Sequence, residues 1–177
     1  MISAIRDDNP VMFMFHKTLQ GLGWMDQIDL SIGHVPEEAY TVPLGKANVI
    51  KEGTDITIVS LQMTTYHALQ AVAELEEAGI NAEIIDLRSI VPLDKETILN
   101  SVRKTHRLII VEEDYKSYGI GAEIAAIIAE EAIYDIEAPV KRLAIPDVPI
   151  PYSRPLEQFI LPSKDKIVEE VIKLVKQ

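Results

Sequence analysis

The chain has 177 residues, 47% hydrophobic and 25% charged, a composition that builds a globular core and excludes a disordered chain. Seventeen Lys and Arg against 28 Asp and Glu leave a net charge of −11, the wrong sign for a protein that neutralises phosphates, so nucleic acid and anionic membranes are set aside as partners. Cysteine is absent, which removes disulfides, thiol nucleophiles and zinc–thiolate sites; with no apolar run of about 18 residues and no signal-peptide pattern in residues 1–9, a cytoplasmic setting is expected.

In chain order, Met1–Arg6 is predicted as the last turns of a helix, with Ile2 and Ile5 apolar. Asp7-Asp-Asn-Pro10 is a turn, and Val11-Met-Phe-Met-Phe15 is predicted as a strongly apolar strand that needs a sheet to join. Residues 16–43 show no periodicity, and so long an unstructured connection does not belong inside one compact domain. Residues 1–15 are therefore expected to be the end of a preceding domain, 16–45 a linker, and 46–177 a domain of its own.

From about Glu52 the sequence alternates strands and helices. Asp55–Ser60 is a strand buried on both faces. A helix over Thr64–Gly79 carries Ala68, Val72 and Leu75 on one side, with Gly79 ending it. Asn81–Asp86 is the next strand. Asp94 caps a helix running to about Lys104, with Ile98, Leu99 and Val102 apolar. Arg107–Glu112 is a strand, Gly121–Tyr134 a helix, and Val140–Ala144 a strand. Ser163 opens a last helix with Ile167, Val171 and Leu174 along one side. The alternation predicts an α/β fold: a small, mainly parallel sheet with helices on both faces, preceded by an N-terminal arm.

The chemistry-bearing patterns are sparse. Tyr118-Gly-Ile-Gly-Ala-Glu123 could cradle a phosphate at a helix N-terminus, but it has only two of three glycines and acidic neighbours, so a tight turn for close helix packing is the better reading. The first strand-to-helix turn, Leu61–Tyr66, has no glycine, which argues against a dinucleotide site and leaves Asp86 as a turn residue. His16, His34, His67 and His106 are scattered in sequence, and no serine sits in a nucleophile elbow. Glu112-Glu-Asp114 reads as a solvated strand end. Residues 122–129 are apolar except Glu123, which fits a core helix or a subunit-contact helix equally. Asp7 and Asn9 read as turn residues, although oxygen-rich turns also hold hard cations.

Five motifs together carry a resemblance. Ala4-Ile-Arg-Asp-Asp-Asn-Pro10, Val42-Pro-Leu-Gly-Lys-Ala47, Ile85-Asp-Leu-Arg-Ser-Ile90 with Pro92-Leu-Asp94, Tyr118-Gly-Ile-Gly-Ala-Glu-Ile124 and Pro149-Ile-Pro-Tyr152 occur in this order and spacing in one family. The chain resembles the C-terminal, transketolase-like part of the beta subunit of thiamine-diphosphate-dependent 2-oxo acid dehydrogenases, of the pyruvate or acetoin type. Residues 21–33 depart from the family linker.

The resemblance implies an enzyme that uses thiamine diphosphate and magnesium to decarboxylate a 2-oxo acid oxidatively, or to cleave acetoin, and passes the product to a lipoyl group. It implies that the catalytic glutamate and histidine precede Met1, so no catalytic or cofactor-binding residue is expected in this chain, and the chain alone is expected to be inactive. It implies an incomplete potassium site at the carbonyls of Ala4 and Ile5 and the side chains of Asp7 and Asn9. It also implies an alpha subunit and a second beta subunit as partners. A basic subunit-binding domain of the dihydrolipoyl acyltransferase core would dock at Glu137 and the carboxylate of Gln177. The rival expectation is a stand-alone, non-catalytic binding module on the same sheet.

Overall fold

The computed structural model describes residues 1–20, 30 and 33–176. Its centre is a five-stranded sheet: β1 (Asn48–Lys51), β2 (Ile56–Ser60), β3 (Ala82–Asp86), β4 (Leu108–Tyr115) and β5 (Lys141–Ile145), ordered β1-β3-β2-β4-β5. β2, β3, β4 and β5 run parallel, and β1 pairs antiparallel with β3, Asn48 opposite Asp86. Every residue of β2 is buried, as its unbroken β-branched run requires of a central strand covered on both faces.

The helices split between the two faces. On one side α2 (Met63–Glu77) and α6 (Lys164–Val175) pack Ala68, Ala71, Leu75, Ile167, Val171 and Leu174 against Ile56, Ile58 and Ile84. On the other, α3 (Lys95–Thr105) and α4 (Ile120–Glu131) bring Ile98, Val102, Ile124 and Ile128 onto Val59, Ile85 and Ile110. Short helices α1 (Ile2–Ile5) and α5 (Arg154–Ile160) lie outside these layers and bury no residue.

The predicted caps are where the sequence puts them. Asp94 and Ser163 accept main-chain N–H bonds from Thr97 and Lys166, at 3.4 Å each. Gly79, at φ +77°, follows α2, and Ile80 N–H closes on the Leu75 carbonyl. α4 is a core helix through Ile124, Ile127 and Ile128; its Ala126 and Ala129 face outward.

One expectation is corrected here, and two elements lie outside those predicted. Val11–Phe15 forms no strand: high β-propensity is not enough where no neighbouring strand supplies the ladder bonds, and all five side chains are exposed. β1 is one of these, because four residues with one exposed apolar side chain give no period-two pattern. α5 has no counterpart among the predicted elements; its Pro155 lies in the first turn, where proline suits a helix.

Candidate functional site

The chain order makes a switch point. From β2 the chain crosses to β3 on one side, then returns past β2 to β4 on the other. The connections leaving the carboxyl ends of β2 and β4 therefore part to opposite faces of the sheet, the place where α/β sheets form a crevice. Gln62 turns the chain there at φ 51°, a strained value for a side chain with a Cβ. Thr64 fixes the start of α2 to β4, its hydroxyl donating to the Val111 carbonyl at 2.9 Å.

Glu112 ends the buried part of β4 and is 1% exposed, not the solvated residue that its acidic neighbours suggest. Its carboxylate accepts the main-chain N–H of Gly121 at 3.0 Å. A Cβ at Gly121 would strike Glu112 Oε1, and one at Gly119 would meet the Tyr115 carbonyl and Glu112 Oε2. The two glycines thus let α4 close over an internal carboxylate. Burial is the main cause that pushes the Glu112 pKa up; the Gly121 bond opposes it. With that carboxylate at the start of α4, a diphosphate does not fit the turn, so thiamine diphosphate gets no cradle from Tyr118–Glu123.

The histidines are less scattered in space than in sequence. His16 Nε2 lies 3.0 Å from Glu113 Oε2, and His67 on α2 shares their surroundings. Burial lowers the His67 pKa, against the pull of the Glu113 charge. Nδ1 of His16 and of His67 are buried without a hydrogen-bond partner among the described residues. Among the described residues no group of three or more His, Asp or Glu is arranged to hold a metal ion. His106 ends α3 in the left-handed region, φ 59°, with its ring on the Asp135 carbonyl. His34 is exposed.

The residues expected to hold a cation come to one turn. Ala4 and Ile5 end α1, and Asp7 Oδ1 accepts both the main-chain N–H and the side-chain amide of Asn9, at 2.9 and 3.0 Å. Those bonds hold the Asp7 carboxyl below its ordinary value, the main-chain bond first. Asp7 and Asn9 are exposed. Glu137 lies before β5, at the end of the sheet where the parallel strands begin: it pairs with Arg107 Nη2 at 3.1 Å, and its N–H donates to the His106 carbonyl. Gln177 falls outside the described residues, as does most of residues 21–33.

Two of the motifs touch each other. Gly45 N–H donates to Ser89 Oγ and Ala47 N–H to Asp94 Oδ2, both at 3.0 Å. Gly45, at φ +71°, packs so closely on Pro92 that a Cβ would need the ring to move. Sequence spacing could not show this contact, which spans the sheet's β3 side.

Comparison with known proteins gives a consistent set. The family model described as transketolase, C-terminal domain, matches residues 45–167. The 2-oxoisovalerate dehydrogenase beta subunit of Bacillus subtilis (strain 168) is 42% identical over 166 residues, 93% of this chain and 48% of that protein. A pyruvate dehydrogenase beta subunit of Rickettsia bellii is 44% identical over 174 residues, 98% of this chain and 51% of the relative. The beta subunit of acetoin:2,6-dichlorophenolindophenol oxidoreductase of Bacillus subtilis (strain 168) is 40% identical over 175 residues, 99% and 48%. The chain thus spans about half the length of the curated relatives it matches. Among solved structures, a split-gene transketolase described as an inactive beta4 tetramer superposes with a TM-score of 0.69 at 32% identity, over 77% of this chain and 44% of that one. Transketolase of Pichia stipitis shares the fold, TM-score 0.53 at 15% identity, over 75% of this chain and 18% of its own.

Proposed function

This chain belongs to the transketolase C-terminal domain family, and from that footing we propose that it is the C-terminal domain of the beta subunit of a thiamine-diphosphate-dependent dehydrogenase. The whole enzyme would decarboxylate pyruvate or a related 2-oxo acid oxidatively, or cleave acetoin, and transfer the product to a lipoyl group. The observation that carries this is identity of 40% or more, over nearly the whole chain, to beta subunits of three such dehydrogenases.

Residues 1–15 would end the preceding pyrimidine-binding domain, 16–45 would link, and 46–177 would be the assembly domain, working in the cytoplasm. Thiamine diphosphate and magnesium would be held by other parts of the enzyme, which suits the Glu112 carboxylate already filling the α4 turn. The carbonyls of Ala4 and Ile5 with Asp7 and Asn9 would form one wall of a potassium site. Alpha and second beta subunits would pair with this chain. The basic subunit-binding domain of an acyltransferase core would dock near Glu137 and Gln177, where the −11 charge favours a cationic partner. A relative whose beta chains form an inactive tetramer supports the further reading that this chain is inactive without its partners.

The test is turnover. The chain alone, with thiamine diphosphate, magnesium and each of pyruvate, 2-oxoisovalerate and acetoin, should give none. A beta subunit carrying this domain, co-expressed with its alpha subunit, should turn over one of them. Activity of the chain alone would overturn the reading.

A further inference from the structure

α5 buries none of its own residues, so core packing does not hold its end. Lys166, in the first turn of α6, reaches back to do so. Its Nζ donates to the Phe159 carbonyl, and to the Leu161 carbonyl at 2.8 Å, oxygens of the kind that a helix C-terminus leaves unpaired. The same ammonium lies over the Phe159 ring, 5.5 Å from its centroid.

Its setting differs from that of two other lysines on α6. Lys164 pairs with Glu74, and Lys173 with Glu169 and Glu170; those hydrogen bonds raise both pKa values. Among the described residues no carboxylate pairs with Lys166. Half-buried, it lines a cavity of about 360 Å³ with Leu143 and Ala144 of β5 and Phe159 and Ile160 of α5. Glu169 and Glu170 also face this cavity, but the first is bound by Lys173 and the second by Lys173 and by Lys141 of β5. Burial lowers the Lys166 pKa, with no carboxylate contact to oppose it. A desolvated amine beside an apolar recess is the arrangement in which lysine acts as a nucleophile.

We infer that Lys166 is an acylation site: an activated short-chain acyl group, carried as an acyl phosphate or a thioester, is transferred to Nζ, and its chain enters the recess beside β5. The donor alone balances the step. Nζ gives up a proton to water and attacks the acyl carbonyl carbon. A C–N bond forms, the bond from that carbon to phosphate oxygen or to sulfur breaks, and phosphate or thiolate leaves with the electron pair. The product amide keeps one N–H where the ammonium had three. It can serve one of the two carbonyls but not both, and it brings no charge to the Phe159 ring. Acylation therefore frees the end of α5. The cavity and both carbonyls come from residues 143–170, so the inference rests neither on residues 1–47 nor on the dehydrogenase assignment.

Lys164, on the same helix, is the internal comparison. The full chain is incubated with acetyl phosphate and, separately, with S-acetyl-N-acetylcysteamine. Cleavage after Glu157 and Glu169 by a glutamate-specific protease releases one peptide with both lysines, and its fragmentation assigns the acyl group. Lys166 should acquire it several-fold faster than Lys164 in the folded chain, and at the same rate in urea, where burial is lost. The donor that reacts faster identifies the source. Chymotrypsin should then cut after Phe159 faster in the acylated chain and in Lys166→Gln. Lys166→Arg, which keeps donors for both carbonyls, should be cut no faster after the same treatment. Equal rates at the two lysines in the folded chain, an advantage that persists in urea, or a Phe159 site as protected after acylation as before would overturn the inference.

Discussion

Glu112 accepts the main-chain N–H of Gly121 at 3.0 Å, so the strand that precedes α4 supplies the carboxylate at its N-terminus. The bond joins residues nine apart in sequence and closes the β4–α4 connection from inside. It satisfies one of the N–H groups that a helix start leaves unpaired.

Glu112 should make stability fall with rising pH. Burial raises its folded pKa above the ordinary 4.5, so the folded state binds a proton more tightly than the unfolded chain. Its favourable contribution is full below the unfolded value and is lost as pH rises through the folded one. Glu112→Gln, which keeps an acceptor for Gly121, should remove that part of the pH dependence and stabilise the chain at neutral pH. Urea titrations of both proteins between pH 4 and 8 check this, and parallel curves would refute it.

Gly121→Ala should destabilise by about 1–3 kcal/mol, because the new methyl group collides with Glu112 Oε1 and close-packed sites accept added volume badly. Thermal melts measure the loss. Combining the change with Glu112→Ala should recover part of it, whereas Gly33→Ala, with nothing nearby, should have almost no effect.

Asp94→Ala should cost about 1–3 kcal/mol, from a lost helix cap and an unpaired Ala47 N–H. Burial pushes the Asp94 pKa up, but bonds from Thr97 and Ala47 outweigh it and the net shift is downward. The stability this adds is present above the unfolded pKa and is lost as pH falls through the folded one. The variant should also release residues 33–47 to limited proteolysis at neutral pH; an unchanged digestion pattern would count against the contact.

Glu137→Lys should slow association with a basic subunit-binding domain several-fold and flatten its salt dependence, because exposed charges act mainly on encounter rate. Surface plasmon resonance over a salt series reads both. The substitution sets two cations together at Arg107, so Glu137→Gln serves as the milder control.

Much of the layered core was legible because it is local. β2, α2, β3, α3 and α6 announce themselves through period and caps, as at Asp94, Ser163 and Gly79. Glu112 was not legible, since three consecutive acids read as a solvated end until β4 is seen to continue to Tyr115. The one available signal was the pair Gly119 and Gly121, small residues facing a strand end. His16 and His67 meet only through tertiary structure, which no spacing rule conveys. Glu137 came from resemblance alone, since its pairing with Arg107 resembles any surface ion pair.

The antiparallel entry of β1 has a consequence for assembly. Because Asn48 sits opposite Asp86, the polypeptide before it arrives where the parallel strands finish, not where they begin. Had β1 run the other way, the chain entering it would have arrived at the end of the sheet where β3 begins, at Ala82. The orientation of one short strand thus decides which end of the sheet receives the chain that leads into it, the end at Asp86 and not the end at Ala82.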